Sequence, residues 1–255
     1  MSTGSLTISM NGTRIAVIMP ALNEEDAVGR QVRAILAHPG FNRLHLAQII
    51  VVDNGSDDDT ASVAQAAGAT VVHQPIRGYG AACLAGVLAA AEADVVLLMD
   101  ADGSDDLDGA ASVASLSLEG RAELVMGSRT AGHRERGALT LPQRSGNALA
   151  TLLLQLFCGG RWISDIGPVR ALHRSDLLAL DMSEMTYGWS MEMLVKAVRA
   201  NYRILEVPVD YRKRIGGRSK VSGSVRGTMR AGWCILATVL RYARWQPAQQ
   251  LRVTQ

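Results

Sequence analysis

Three cysteines, Cys83, Cys158 and Cys234, are too few and too scattered for a disulfide framework, and with no CxxC pair they outline no zinc ribbon. A reducing compartment suits such a chain. Neither sign of charge is in excess: 26 basic and 24 acidic side chains leave +2. With 48% apolar residues, that argues against a polyanion-coating protein and against wholesale disorder. Long hydrophobic runs are missing too. The longest, Ala231 to Leu240, is about half of the roughly 20 residues that cross a bilayer, so no transmembrane helix is expected. The opening segment MSTGSLTISMNGT has neither the basic start nor the apolar core of a secretory signal. Residues 1–13 therefore read as a flexible tail, and a cytoplasmic location is expected. The patterns GxSxG and GxxxxGK(S/T) are absent, which disfavours the common serine hydrolases and P-loop proteins. None of the five histidines forms an HExxH or a close His/carboxylate pair. Internal repeats and interdomain linkers are also lacking, so the 255 residues are expected to form one α/β domain.

What the chain does have, between Arg14 and Gly127, is an alternation of short β-rich runs with Ala-rich helical stretches. The runs RIAVIMP, AQIIVVD, ATVVHQ, DVVLLMD and AELVMGS are almost continuously apolar, as parallel strands covered on both faces are. The expected fold is a Rossmann-like, mainly parallel sheet flanked by helices. In such sheets ligands collect at the carboxyl ends of the strands. The polar clusters fall there: Asn23-Glu24-Glu25, Asp53-Asn54-Gly55-Ser56, Arg77-Gly78-Tyr79-Gly80, Asp100 to Ser104, and Ser128-Arg129. Beyond Thr130 the alternation breaks down. A helix from about Ser145 to Phe157, another near Tyr187 to Ala200, a strand in YRILEVPVDY, a basic glycine-containing loop RKRIGGRSKVSG and a last helix from about Ser224 to Trp245 are expected.

Asp100 and Asp102 stand at i and i+2 directly after an apolar strand. Both can turn to one side and suit Mg²⁺ or Mn²⁺, which binds through one or two carboxylates plus substrate phosphate oxygens. Ser104 is a candidate third ligand, and a turn with a helix N-cap is the plainer alternative for the same residues. Asp53 offers an acceptor for a nucleobase N–H or ribose hydroxyls, or else an Asx-turn. Gly78-Tyr79-Gly80 gives backbone freedom beside Arg77 for close approach to a diphosphate, although helix-capping glycines would look the same. Read as a dinucleotide fingerprint, these glycines fail: Cys83 stands where Gly or Ala belongs, and Pro75 separates them from their strand.

In order, Pro20-Ala21-Leu22-Asn23-Glu24, VVDNGSDDDT, RGYGAA, MDADGS, GSR and PVDYRKRIGGRSK resemble the inverting family-two glycosyltransferases of GT-A fold, in the dolichyl-phosphate mannose and glucose synthase branch. The resemblance runs from about Arg14 to Gly223. It implies a nucleotide-sugar half over 14–129, an acceptor half over 130–223, and a C-terminal amphipathic helix and tail over 224–255. By it, Pro20, Ala21, Asn23, Glu24 and Asp53, with Gly78, Tyr79, Asp100 and Ala101, would hold the nucleotide. Asp100 and Asp102 would hold the metal and diphosphate, and Arg129 would face the acceptor. Two departures stand out: Asp53-Asn54 where Asp-Asp is frequent, and Gly103-Ser104 after the DxD. DADG is nearer the glucosyl branch, which favours UDP-glucose over GDP-mannose.

A phosphate acceptor already carries anionic oxygens, so positioning matters more than proton removal. Arg129, Arg144, Arg212, Arg214, Arg218 and Lys220 are the candidates for holding a polyprenyl phosphate. Of these, Arg129, Arg144 and Arg214, with Asp102, are the catalytic candidates. A soluble hydroxyl acceptor would instead need a base, for which Asp165 and Glu192 are the rivals, and a non-catalytic nucleotide-sugar binding module is the third reading. On the last helix Arg226, Arg230, Arg241 and Arg244 fall within an arc of about 60°. Val225, Met229, Trp233, Ile235, Leu236, Val239 and Leu240 share a neighbouring arc. That face either meets anionic lipid at the cytoplasmic side of a membrane or packs on the sheet or a second subunit.

Overall fold

The computed structural model describes residues 12–135, 137–138, 141–158, 163–215 and 225–247. The alternation read from the sequence leads it: β1 (Ile15–Ala21), α1 (Glu25–Ala37), the single turn α2 (Pro39–Asn42), β2 (Leu46–Asp53), α3 (Thr60–Ala66), β3 (Thr70–His73), α4 (Tyr79–Ala89), β4 (Val95–Leu98), α5 (Leu107–Leu118) and β5 (Leu124–Ser128). Then come α6 (Leu141–Cys158), β6 (Arg170–His173), α7 (Arg174–Ala179), α8 (Trp189–Arg199), β7 (Ile204–Pro208) and α9 (Val225–Tyr242).

The seven strands make one sheet in the order β3-β2-β1-β4-β6-β5-β7. Successive residues of a strand point to opposite faces, and here both faces are covered. Ile15, Val17 and Met19 join Val28, Val32 and Ile35 of α1 and the apolar side of α5. Ala16 and Ile18 join Ala82, Cys83 and Val87 of α4 and the core residues of α8 on the other face. Every pair is parallel except those of β6, which runs antiparallel between β4 and β5. The parallel strands finish level, with Ala21 opposite Asp53 and Asp53 opposite His73. This register gathers the polar strand ends at one edge.

Three elements were not expected from the sequence: α2, β6 and α7. β6 is four residues, RALH, and it passes into α7 with no intervening turn residue, so no period or boundary marks it. Over its described side chains, residues 233–242, the last helix is split between burial and exposure. Val239 and Tyr242 are buried against the α8 side of the core, whereas Trp233 is 70% and Leu240 52% exposed. Lys196 anchors it: its Nζ lies 2.8 Å from Glu192 Oε1, donates to the Asp181 carbonyl, and sits over the rings of Tyr242 and Trp245 at 4.8 and 5.2 Å. On α6, Leu149, Leu152, Leu156 and Phe157 are exposed while Ala150 and Leu154 are buried. Among the described residues no helix is long and apolar enough to cross a membrane.

Candidate active site

Two strand-end turns are welded together. After β1, Asn23 takes a left-handed backbone (φ 53°), a conformation Asn tolerates better than most residues. Its N–H donates to Ser56 Oγ (3.0 Å), its side-chain oxygen accepts from the Asp57 N–H (2.9 Å), and the Glu24 N–H donates to Thr60 Oγ1 (2.8 Å). Asp53 accepts from the Ser56 N–H (3.0 Å) and lies 3.3 Å from His73 Nδ1. The Asx-turn alternative therefore describes its local geometry. With His38 Nε2 at 3.3 Å from Asp108 Oδ1, the His73 contact corrects the expectation of no close His/carboxylate pair, because both pairs join residues far apart in the chain. Asn54 ties β2 to the segment after β3. Its amide nitrogen donates to the Gln74 and Ile76 carbonyls (3.0 and 2.8 Å), and its oxygen accepts from the Gly78 N–H (2.7 Å). Asp could not make the two donations, which gives the Asp53-Asn54 departure a structural reason.

Beside these turns lies a pocket of about 490 Å³. Pro20, Ala21, Glu24, Asn54, Arg77, Gly78, Tyr79, Asp100, Ala101, Asp102 and Arg214 line it, together with Leu22, Ala82, Thr186, Tyr187 and Cys234. The Asp100–Asp105 loop is shaped by its own side chains. The Ser104 N–H and hydroxyl both donate to Asp102 Oδ1 (2.9 and 2.5 Å), the Asp100 N–H donates to Asp105 Oδ2 (2.9 Å), and Gly103 supplies a positive φ of 75°. Arg214 spans two strand ends, with Nη2 2.7 Å from Asp102 Oδ2 and Nη1 3.5 Å from Glu24 Oε1. Burial, and next the charge of Asp102, push the Asp100 carboxyl up to about 7 against the opposing pull of Arg214 and Arg129. Such a concentration of hard oxygen donors suits a divalent cation. Among the described residues no three His, Cys, Asp or Glu side chains form a cage, which Mg²⁺ or Mn²⁺ shared with substrate phosphates does not require. Ser104 is fully buried and spent on Asp102, so its hydroxyl orients a carboxylate where a third ligand was expected.

Other expected residues are engaged elsewhere. The close approach allowed by Gly78 and Gly80 is taken by the chain itself: a Cβ on either would lie within 2.2 Å of the Met185 or Glu184 carbonyl oxygen. The amides of Gly80 and Ala81 donate to the Thr186 and Met185 carbonyls (3.3 and 2.9 Å). This corrects the expected diphosphate cradle, because those amides at the start of α4 are already paired. Arg129 forms a fork with Asp165 (2.8 Å at both Nε and Nη2) and lies over the Tyr211 ring at 5.1 Å. Burial opposes its charge, but the Asp165 carboxylate outweighs this and raises its pKa. It does not line the pocket. Asp165 and Glu192 are both fully buried. Asp165 also accepts from the Arg129 N–H, whereas Glu192 pairs with Lys196 and accepts from the Ser183 and Glu184 amides. Neither lines the pocket. Arg144 and Arg212 are exposed outside it, and Arg218 and Lys220 lie outside the described residues. The sequence reading missed Thr186, Tyr187 and Cys234. An aromatic at the entry of α8 was a faint signal for Tyr187; nothing distinguished Cys234 from the apolar residues around it.

The model of the family described as "Glycosyl transferase family 2" matches residues 16–179. A glycosyltransferase of Mycobacterium tuberculosis is 39% identical over 221 residues, covering 86% of this chain and 95% of the relative. A dolichyl-phosphate hexose transferase of Haloferax volcanii is 33% identical over 204 residues, covering 79% of this chain and 84% of the relative. Among solved structures, glucosyl-3-phosphoglycerate synthase of M. tuberculosis, crystallised with Mn²⁺, uridine diphosphate and phosphoglyceric acid, superposes with a TM-score of 0.68. At 22% identity, covering 93% of this chain and 81% of that one, the likeness is one of fold.

Proposed function

The chain belongs to glycosyl transferase family 2, a family of enzymes, and from that premise we propose that it transfers a hexose with inversion from a nucleoside diphosphate sugar to a polyprenyl phosphate. UDP-glucose is favoured over GDP-mannose as donor. The observation that carries the reading is the juxtaposition of Glu24, Asp100 and Asp102 with Arg214 in the pocket where the strand ends converge. Pro20, Ala21, Asn54, Gly78 and Tyr79 would form the nucleotide walls, with Asn23 and Asp53 setting the turns behind them. Asp100 and Asp102 would hold Mg²⁺ or Mn²⁺, which when bound stabilises the negative charge leaving with the diphosphate. The complex of the M. tuberculosis synthase with Mn²⁺ and uridine diphosphate supports that choice of ligands.

Inversion requires the acceptor oxygen to approach the face of the sugar opposite the diphosphate, so the acceptor side must hold the nucleophile in line. Arg214 is a cation at the pocket able to hold phosphate oxygens in a fork. Arg129, locked on Asp165, would position the surrounding wall. A phosphate acceptor accords with the two rival bases being buried and bonded away from the pocket, and with the name of the Haloferax relative. Apolar side chains exposed on α6 and α9, together with Arg241 and Arg244, would give such an enzyme peripheral contact with a membrane. The test is incubation of the purified protein with Mn²⁺, labelled UDP-glucose or GDP-mannose, and polyprenyl phosphate, followed by organic extraction. Labelled lipid is expected with one donor. Label found solely in water-soluble products, or no turnover with any sugar nucleotide, refutes the lipid-phosphate acceptor.

A further inference from the structure

We propose that Arg214 is an internal counter-ion that occupies the acidic centre of the pocket and must leave it for a divalent cation to bind. The inference rests on the metal reading above and adds a gate to it. The guanidinium lies 2.7 Å from Asp102 and 3.5 Å from Glu24, so it joins carboxylates delivered by two different strand ends. The second guanidinium on the pocket wall, that of Arg77, is turned to the Gly55 carbonyl (2.8 Å) and to Asp57 (3.2 Å), away from this pair.

The backbone that carries Arg214 is held in place. Tyr211 bridges Asp105, the Arg212 N–H donates to the Ser104 carbonyl (3.0 Å), and the Ile215 N–H donates to the Asp102 carbonyl (3.1 Å). Ile215 also packs over Gly103, where a Cβ would fall 2.4 Å from its Cδ1. Residues 211–215 are therefore bound to the carboxylate loop itself, and the moving part is the Arg214 side chain, which is about a third exposed. A dication and a guanidinium sharing the same Asp102 oxygen would repel each other at a few ångströms, so metal entry displaces the guanidinium. From its fixed backbone the displaced group still reaches the pocket, where phosphate oxygens of a donor or acceptor become its next partners. Arg214 thus partly neutralises the acidic centre until a metal and phosphates arrive together, and bare metal binds weakly.

Mn²⁺ alone is the probe, with the free ion counted by electron paramagnetic resonance on wild type, Arg214→Met and Arg214→Lys, each first checked for native circular dichroism. Arg214→Met is expected to bind Mn²⁺ about tenfold more tightly than wild type, in keeping with loss of a partly buried competing charge, with Arg214→Lys in between. With uridine diphosphate present the advantage should shrink or reverse, because the guanidinium then gains phosphate contacts. Mn²⁺ affinity in Arg214→Met equal to or below that of wild type overturns the gate and leaves the metal site standing. No bound Mn²⁺ in any of the proteins, with or without uridine diphosphate, overturns the metal reading and the gate together.

Discussion

Changing Asn54 to Asp is isosteric, yet it should be among the most damaging single substitutions outside the apolar core. The wild-type amide makes two donations, at 3.0 and 2.8 Å, and one acceptance at 2.7 Å, in a side chain only 5% exposed. Aspartate keeps the acceptance. It loses both donations, worth roughly 1 kcal/mol each, and sets a carboxylate against two carbonyl oxygens, which adds about 1–3 kcal/mol of uncompensated burial. A deficit of about 3–5 kcal/mol at pH 7 follows, or roughly 10 °C in Tm for a domain of this size. The new carboxyl would be raised in the folded state above its unfolded value near about 3.9, since it can donate a bond only when protonated. Stability contributed by the protonated form is present below the unfolded value and is lost as pH rises through the folded one, so the deficit should widen from pH 5 to pH 8. Urea unfolding followed by tryptophan fluorescence at those two pH values measures it, with Asn54→Ala as the uncharged control of constant deficit. An Asn54→Asp deficit below about 1 kcal/mol, or one that does not change with pH, would refute the assignment of the amide as a double donor.

Asp102→Asn should abolish detectable Mn²⁺-dependent binding of uridine diphosphate while leaving Tm within a few degrees, as calorimetry would show; unchanged binding would remove Asp102 from the site. Asp100, held at about 7, favours the fold when protonated, and that contribution is lost as pH rises from its unfolded value through about 7. Asp100→Asn should therefore gain stability relative to wild type between pH 5 and pH 8 in metal-free buffer. Lys196→Met leaves Glu192 buried without its cation and should cost roughly 3–5 kcal/mol in urea unfolding, whereas Lys196→Met with Glu192→Leu should recover part of it. Changing Arg226, Arg230, Arg241 and Arg244 together to Gln should weaken low-salt flotation with anionic vesicles, and equal partitioning of variant and wild type would exclude this helix from membrane contact.

The first half of the fold was legible because its strands carry two independent signals, continuous apolar content and polar residues at their carboxyl ends. Where only one signal exists, the reading stopped: β6 has apolar residues but no boundary, and α7 follows it without a cap. The acidic pair Asp100 and Asp102 was legible for the same reason, being anchored to a strand end. Glycine was ambiguous at Gly78 and Gly80, since a sequence shows that a backbone can be approached but not by what. The approach there is made by Met185 and Glu184, more than a hundred positions away. Arginine was equally ambiguous: Arg129 and Arg214 read alike, and only the burial of Asp165 against one and the opening of the pocket beside the other separates them.

β5 pairs on one side with β6 and on the other with β7, both of which come later in the chain. While the protein is being made, a completely buried strand, Leu124–Ser128, therefore leaves the ribosome with no neighbour, and the flank of β4 meant for β6 stays bare as well. Some forty residues must follow before β6 can fill the place between β4 and β5, and about seventy-five before β7 covers the other edge of β5. Bare apolar edges of this kind recruit other chains, and long-range pairings form slowly. A nascent chain halted after β5, or a gene cut there to isolate the front half, should yield a species that depends on chaperones and aggregates without them, whereas a nick in the exposed turn beyond β5 of the finished protein should leave the halves bound together.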